Sequence, residues 1–319
     1  MRRNTFLKSL AVIAMPSGLA LNARAATALK LMIPANPGGG YDLNGRAIGK
    51  AIVESGGASS ATYENRGGAA GTIGLAQFAS STKGDPGALL SMGSVMLGGI
   101  LVNKSSVTLA QATPIARLTT EYNVFVVPPN SPFKNMQDVM AQYKKDPGSV
   151  RWGGGSRGSS EHLTAAMVAH AVGTDASKIN YLAFRGGGEA SAAILGGNVS
   201  VGGGGYSELA EYIVSGRVRA IAVTSSERLM GSDIPTLKEQ GINIETSIWR
   251  GLYGAPGLTD NQRKELIALV VKATQHPSWR EALKKNDWTP ALLTGDDFAR
   301  FVDQEFKTMR ESMTQIGML

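Results

Sequence analysis

The chain alternates between short apolar runs and longer stretches in which apolar residues recur at helical spacing. An uninterrupted apolar run is typical of a strand buried in a parallel sheet, and recurrence every three to four residues is typical of an amphipathic helix. In the first 130 residues the pattern predicts strands at 30–33, 62–65, 88–92, 113–118 and 124–127, and helices at 42–55 and 72–81.

A second alternating block begins at residue 135 and leads into a mainly helical tail. The block predicts helices at 135–145, 159–172, 189–195 and 207–215, and strands at 150–152, 180–183, 199–202 and 219–224. Residues 235–241 are predicted as a short helix that Gly241 would end. After residue 255 the mostly helical pattern predicts helices at 260–274, 277–286 and 296–316, with no sheet of the tail's own.

Alternating strands and helices predict an α/β fold with mostly parallel sheets, because each parallel connection needs a crossover. Two alternating blocks predict two lobes, and a cleft between lobes is a common ligand site. We expect lobe 1 to comprise residues 26–127 plus 246–319, and lobe 2 to comprise residues 128–245. The helical tail is expected to pack back on lobe 1.

The first 25 residues have the pattern of a secretory signal peptide. Arg2, Arg3 and Lys8 form a basic start, residues 10–21 are mostly apolar, and Ala23-Arg24-Ala25 is a small-residue cleavage signal. The apolar stretch is shorter than the roughly 20 residues that a membrane-spanning helix needs. We therefore expect an exported, periplasmic protein cleaved near Ala25. The alternatives are an amphipathic helix of the domain itself and, for the export route, a twin-arginine signal.

Composition narrows the classes of function. The full chain has a net charge of +7, and removing the signal segment, which holds four basic residues and no acid, leaves +3. No lysine-rich run remains, which argues against nucleic acid as a partner. The mild positive balance is compatible with an acidic small molecule. The sequence contains no cysteine, which excludes disulfides, thiolate catalysis and cysteine metal sites.

Three glycine-rich loops each lead from a predicted strand into a predicted helix. They are Pro37-Gly38-Gly39-Gly40-Tyr41-Asp42, Gly67-Gly68-Ala69-Ala70-Gly71-Thr72 and Gly153-Gly154-Gly155-Ser156-Arg157-Gly158-Ser159-Ser160. A helix start leaves backbone N–H groups unpaired and carries partial positive charge, so it attracts anions. A single loop of this kind is equally compatible with a plain tight turn. Three of them, with several hydroxyls, predict a pocket for an organic anion with more than one carboxylate.

Catalytic and nucleotide-binding patterns are weak. The three histidines, His162, His170 and His276, have no metal-ligand spacing, and a serine triad cannot be assembled around Ser156. The first glycine loop has Leu43 where a dinucleotide fingerprint requires glycine, and no Walker motif occurs. We therefore expect no catalytic residue, no metal and no cofactor.

Three further positions have two possible roles each. Arg185 precedes three glycines and is either a carboxylate clamp or a surface cation. Tyr206 and Ser207 open a predicted helix and could line the second lobe. Arg250, with Trp249, lies near residues 245–250, where the chain is expected to cross back from lobe 2 to lobe 1. It is part either of a packed hinge or of the cleft wall.

These motifs resemble those of the periplasmic solute receptors of tripartite tricarboxylate transporters, also called Bug-type receptors. The resemblance is carried by Pro34–Asp42 with Arg46, Asn65–Thr72, Gly155–Leu163, Phe184–Gly186, Leu195–Val199, Pro235–Leu237 and Trp249–Gly251. The chain departs from the common pattern at Ser200, where aspartate is frequent, at Arg185, where lysine is frequent, and at Tyr41. Tyr41, Asn198–Ser200 and Trp249-Arg250 are most similar to the tricarboxylate-binding branch.

The resemblance implies a type II, Venus-flytrap periplasmic binding protein that is not an enzyme. It implies a monomer that captures a di- or tricarboxylate, similar to citrate, and delivers it to membrane components of its transporter. The expected ligand-binding residues are Gly39, Gly40, Tyr41, Asp42, Ala70, Gly71, Thr72, Ser156, Ser159, Ser160, Arg185, Tyr206, Ser207 and Arg250. There are two alternatives. One is an exported enzyme acting on a carboxylated substrate, and the other is a receptor of this fold for an aromatic acid or a neutral molecule.

Overall fold

The computed structural model describes residues 28–319, so the predictions for the signal segment lie outside the described residues. The strands are β1 Ala28–Ile33, β2 Ser60–Asn65, β3 Ala88–Gly93, β4 Thr113–Val127, β5 Arg151–Gly154, β6 Asn180–Ala183, β7 Val201–Gly205, β8 Arg219–Val223, β9 Ser247–Gly254 and β10 Thr289–Thr294. The helices are α1 Gly40–Glu54, α2 Thr72–Ser81, α3 Ser94–Val102, α4 Met136–Lys145, α5 Ser160–Ala171, α6 Gly187–Leu195, α7 Tyr206–Val214, α8 Asp260–Thr274, α9 Pro277–Lys285 and α10 Gly295–Gln315.

The strands form one continuous path in the order β2-β1-β3-β9-β4-β7-β5-β6, with β8 and β10 also pairing with β4. The pairs β1·β2, β1·β3, β5·β6 and β5·β7 are parallel. Every antiparallel pair involves β4 or β9, the two strands at the junction of the lobes. The two-lobed α/β fold expected from the sequence is confirmed.

Strand β4 belongs to both lobes. Its residues 113–122 pair with β9, and residues 123–127 pair with β7 and β8. The sequence predicted two separate strands here because polar residues interrupt the apolar pattern. Those residues are buried instead: Thr119, Glu121 and Asn123 are each at most 2% exposed. Burial of polar side chains in mid-strand indicates that this junction serves a purpose other than packing.

Apolar clusters cover both faces of each lobe's sheet. In lobe 1, one cluster packs α1, α8 and α9 on the sheet, and another packs α2, α3 and the start of α10. In lobe 2, α4 and α5 lie on one face and α6 and α7 on the other. Among residues 28–319, no helix is both long enough and apolar enough to cross a bilayer.

The tail crosses from one lobe to the other, beyond the expected packing on lobe 1. Helix α10 places Phe298 and Val302 in a lobe 1 cluster, and Met313 and Ile316 in the main lobe 2 cluster. The tail also contains a strand that the sequence analysis missed, β10, which pairs antiparallel with β4 and so joins the existing sheet.

One expected helix is absent, and one helix was missed. Residues 235–241 form hydrogen-bonded turns rather than a helix, because Val223 donates to the carbonyl of Pro235 and accepts from the N–H of Leu237. These contacts tie the segment to the end of β8 and keep its backbone extended there. Helix α3 was missed: it is apolar on nearly all sides and mostly buried, so it has no polar face to reveal its period.

Candidate functional site

A cleft of about 720 Å³, measured with its mouth, lies between the lobes. Lobe 1 lines it with the loops before α1 and α2 and with β9, and lobe 2 with the loops before α5, α6 and α7. Five helices therefore begin at this cleft, because each follows a strand whose end reaches the same edge of its sheet. The position is the one expected for a ligand site in a two-lobed α/β protein.

Ten of the fourteen expected site residues line the cleft. They are Gly39, Gly40, Tyr41, Ala70, Gly71, Ser156, Ser159, Ser160, Arg185 and Arg250. Asp42, Thr72, Tyr206 and Ser207 are not in the lining but lie beside residues that are. The lining also includes residues that the sequence analysis did not select, chiefly Glu161, Glu208 and the glycines Gly186, Gly187 and Gly203–Gly205.

Asp42 fastens the first glycine loop to the second strand rather than facing the cleft. Its carboxylate accepts hydrogen bonds from the Gly38 N–H at 3.1 Å, the Arg46 Nε at 2.8 Å and the Asn65 amide at 2.9 Å. An acid in the first turn is favourable for a helix start. Asp42 thus sets the shape of the loop that carries Gly39 and Gly40.

Tyr41 lines the cleft and anchors the neighbouring helix. Its buried hydroxyl donates to the carbonyl of Gly93 at 3.1 Å and accepts the N–H of Met96 at 2.9 Å. Burial raises the pKa of this phenol, so it stays neutral. The Tyr41 ring consequently joins the start of α1 to the start of α3.

The second glycine loop holds two alanines in the left-handed region. Ala69 has φ +46° and Ala70 has φ +54°, between Gly68 and Gly71, which also have positive φ. A non-glycine residue in this region costs on the order of 1–3 kcal/mol. Helix α2 starts here with no acidic side chain in its first turn and no side-chain cap. Its partial positive charge is therefore not offset locally.

The serine hydroxyls of the third loop are already bonded to protein. The Ser156 Oγ donates to the carbonyl of Phe184 at 3.2 Å, and Ser159 lies 3.3 Å from the Tyr181 hydroxyl. The Ser160 Oγ has two acceptors at 3.1 Å, the Asn123 Oδ1 and the Glu161 Oε2. These hydroxyls support the wall of the cleft, and a ligand would have to compete for them.

Two acids and one arginine meet at the base of the cleft. Arg250 from β9 forms an ion pair with Glu121 from β4, and its Nη2 lies 3.3 Å from the Glu208 Oε1 of α7. The side chains of Arg250 and Glu121 are 4% and 1% exposed. A Cβ on Gly40 would lie 1.7 Å from the Arg250 Nη2, so only glycine leaves room for this guanidinium.

The chain's own carboxylates occupy several of the helix starts at the cleft. Glu121 accepts the Ser207 N–H at the start of α7, at 3.1 Å. Glu161 accepts the Gly155 N–H ahead of α5, at 2.5 Å. Glu208 accepts the N–H groups of Gly205, in its own helix cap, and of Gly40, at the start of α1 in the other lobe. Sequence reasoning found the anion-attracting backbone but not these acids.

Burial raises the pKa of two of these acids. Burial raises the pKa of Glu161, while hydrogen bonds from the Gly155 N–H and the two serine hydroxyls lower it. Burial, and then the charge of Glu161, raise the pKa of Glu208 to about 8. The geometry thus places an ionisable group with an altered pKa against the ligand space.

The lobes touch each other on both sides of the cleft. On one side, the Asn36 side-chain amide donates to Glu189, and a Cβ on Gly39 would lie 2.8 Å from the Gly187 nitrogen. On the other side, a Cβ on Gly98 would lie 2.0 Å from the Gly158 carbonyl oxygen. Glycines at these contacts let the two backbones meet, so the structure shows the cleft closed.

Within the described part of the chain, no three histidine, aspartate or glutamate side chains are grouped to hold a metal ion. The groups available at the cleft are suited to binding: helix starts, one buried guanidinium, and two buried carboxyl groups with raised pKa. Arg185, at the exposed rim, adds a second cation.

The sequence profile described as "Tripartite tricarboxylate transporter family receptor" matches residues 53–318. BugT of Bordetella pertussis is 26% identical over 91% of this chain and 89% of its own length. A protein of Cupriavidus necator described as "UPF0065 protein in gbd 5'region" is 31% identical over 60% of this chain, and the match spans 58% of that protein's length.

Solved structures show the same fold. The periplasmic binding protein BugD superposes with a TM-score of 0.81 at 22% identity, covering 92% of this chain and 98% of that one. R. palustris Rpa4515 with adipate superposes with a TM-score of 0.82 at 20% identity, covering 91% of this chain and 97% of that one.

Proposed function

Since the chain belongs to the receptor family of tripartite tricarboxylate transporters, and is a solute-binding receptor rather than an enzyme, we propose that it captures a di- or tricarboxylate. The ligand would be similar to citrate in size and charge. The receptor would work in the periplasm after cleavage near Ala25, as a monomer, and would deliver the ligand to membrane components of its transporter.

One observation carries the carboxylate assignment. Arg250 lines the cleft, is 3% exposed, and has an Nε with no hydrogen-bond partner among the described residues. A buried donor without an acceptor costs about 1–3 kcal/mol. An anionic oxygen of a ligand would supply the missing acceptor. The uncompensated start of α2 lies in the same lining, at Ala70 and Gly71, and the adipate bound to Rpa4515 is a dicarboxylate.

The residue assignment is part of the proposal. Gly39, Gly40, Tyr41, Ala70, Gly71 and Arg250 would contact the ligand from lobe 1, and Ser156, Ser159, Ser160 and Arg185 from lobe 2. Asp42, Thr72, Tyr206 and Ser207 would act from behind this wall, by holding its loops. The lobes would be residues 26–127 with 246–319, and residues 128–245, moving about the two crossovers.

A ligand panel tests the proposal. The mature chain is heated with citrate, malate, adipate, benzoate and nicotinamide in turn, and the unfolding temperature is recorded. A ligand at 100 times its Kd should stabilise the fold by about 2.7 kcal/mol. We expect a stabilising shift from at least one di- or tricarboxylate. A shift from benzoate or nicotinamide with none from the polycarboxylates would overturn the substrate class.

A further inference from the structure

The charges that face the cleft do not balance. Arg250 pairs with Glu121, which leaves Glu161 and Glu208 facing the same space with no further buried cation in the lining. The other cation of the lining, Arg185, is exposed to solvent. Adding a ligand with two or three negative charges would bring like charges together in a poorly hydrated space, where their repulsion is strong.

Glu208 is the acid whose position lets it respond to the negative charge of a bound ligand. It lies in the first turn of α7, in lobe 2, yet its carboxyl group reaches lobe 1, where it meets the Arg250 Nη2 at 3.3 Å and the N–H of Gly40. A Cβ on Gly187 would lie 1.6 Å from its Oε2. The carboxyl is therefore enclosed where the lobes meet, at the wall of the cleft.

We propose that Glu208 faces the ligand as a neutral carboxyl that donates a hydrogen bond to a ligand carboxylate, and that where Glu208 is ionised in the free protein it takes a proton from solvent when the ligand binds. This rests on the proposed function and deepens it: Glu208 becomes a specificity-determining residue that requires an anionic oxygen opposite it. No bond other than O–H is made or broken, and the proton comes from bulk water or buffer.

Glu161 is less suited to this role. Its two oxygens already receive the Gly155 N–H and the Ser160 hydroxyl, both from lobe 2, so its carboxyl is held within lobe 2, whereas the carboxyl of Glu208 reaches across to Arg250 of lobe 1. The one cation near Glu208 is Arg250, which it shares with Glu121 from β4. Tyr41, from α1, interacts with Arg250 and Glu161 but remains neutral.

The expected sign of the pH dependence follows from these contacts. Glu208 already has a raised pKa, of about 8, and an adjacent ligand carboxylate raises it further. Between those two pKa values the complex holds one more proton than the free protein, so affinity falls as pH rises above about 8, by up to tenfold per pH unit. A ligand ammonium group at the same place would act oppositely, because it would favour the charged carboxylate and release the proton.

Calorimetry on the mature chain tests this. Citrate, malate and adipate are titrated at pH 8.5 in two buffers of different ionisation enthalpy, which counts the protons taken up per ligand bound. We expect uptake of up to about three-quarters of a proton, because about a quarter of Glu208 is still protonated at pH 8.5 in the free protein, and an affinity roughly six- to eightfold weaker at pH 9.5 than at pH 8.5. Glu208→Gln, which carries a neutral donor, should lose this pH dependence. Glu211→Gln, exposed on the same helix, should keep it.

Three outcomes overturn the inference. Binding at pH 8.5 with no proton uptake, or with proton release, excludes protonation of Glu208 on ligand binding, and this result needs no variant. An unchanged pH dependence in Glu208→Gln assigns the proton to another group. If none of the three carboxylates binds at any pH, the proposed function itself fails, which the other two results do not imply.

Discussion

Glu121 and Arg250 form a buried ion pair between the two strands that join the lobes. Glu121 lies on β4, directly opposite Ile248 of β9, and Arg250 lies two residues further along β9. The same carboxylate accepts the Ser207 N–H at the start of α7. One side chain thus ties together the junction, the cleft wall and a helix of lobe 2.

Replacing Glu121 by glutamine should destabilise the protein strongly. The amide can still accept the Ser207 N–H, but Arg250 loses its main counterion while it remains buried. Breaking a buried pair on one side costs about 3–5 kcal/mol. Urea unfolding followed by tryptophan fluorescence would measure it. The control is Glu245→Gln, whose pair with Lys238 is exposed and should be worth under about 1 kcal/mol. Equal effects in the two variants would contradict the assignment.

The regular elements were predictable where the pattern has a period. Helices 72–81 and 260–274 and strand 180–183 end where the sequence predicted, because each has either a polar face or clear turn signals at its ends. Helix α3 has no polar face, and β10 is a short edge strand recognised only by its partner β4. Local patterns hold no information on either.

The site divides in the same way. Glycine loops before helices are local features, so the sequence identified them and most of the cleft lining. Glu121, Glu161 and Glu208 are far apart in sequence and come near one another only because β4, α5 and α7 pack together in the fold. Glu161 lies within the motif Gly155–Leu163, and Glu208 directly follows Ser207. An acid in the first helical turn after a glycine loop was therefore a sequence signal that could have identified both residues.

A side chain at Gly187 should hold the cleft open. Its Cβ would lie 3.1 Å from the Gly39 Cα and far inside contact distance of Glu208. Only differential binding to the closed state drives closure, so Gly187→Ala should weaken ligand affinity at least tenfold. In X-ray scattering, Gly187→Ala with saturating adipate should have a radius of gyration close to that of the same variant without ligand.

Gly196→Ala is the matched control for this variant. Gly196 ends the same helix, in a right-handed conformation, and its Cβ would be 3.3 Å from the nearest atom. Gly196→Ala should respond to adipate to the same extent as the unmodified protein. Full closure of Gly187→Ala with unchanged affinity would show that the two loops need not meet.

His162 should lower the free energy of unfolding as the pH falls. Burial, and then the charge of Arg157, lower the pKa of His162 to about 4, and its Nδ1 accepts the Gly158 N–H at 3.1 Å. The ordinary value in an unfolded chain is about 6.5. The unfolded state therefore binds more protons between these values, and the stabilisation present above pH 6.5 is lost as pH falls towards 4.

The test is a comparison of variants, because Glu208 and Glu161 titrate in the opposite sense. His162→Asn keeps an acceptor for the Gly158 N–H but does not titrate. Its unfolding free energy relative to the unmodified protein should rise by roughly 2 kcal/mol between pH 7.5 and 4.5. His170→Asn, exposed near the end of the same helix, should show no such rise. Parallel pH profiles for all three proteins would exclude a buried neutral His162.

The hydrogen bond between Asn36 and Glu189 should stabilise the closed state of the cleft. Gly187 acts differently, because its lack of a side chain only leaves room for closure. The Asn36 amide donates to Glu189 across the mouth of the cleft, and the Asn36 N–H reaches the Arg185 carbonyl at 3.4 Å. The contact is exposed, so it should contribute only about 0.5–1 kcal/mol. Asn36→Ala should then weaken adipate binding by roughly two- to fivefold, mainly through faster dissociation.

A double-mutant cycle separates this contact from local effects. Glu189 also accepts the Arg185 N–H at 3.1 Å, so Glu189→Ala disturbs its own loop as well as the contact with Asn36. If the two side chains act through each other, the double variant should bind adipate more tightly than the product of the two single effects predicts. Strictly additive losses would mean that each residue acts within its own lobe, and that backbone contact between the glycine loops alone keeps the cleft closed.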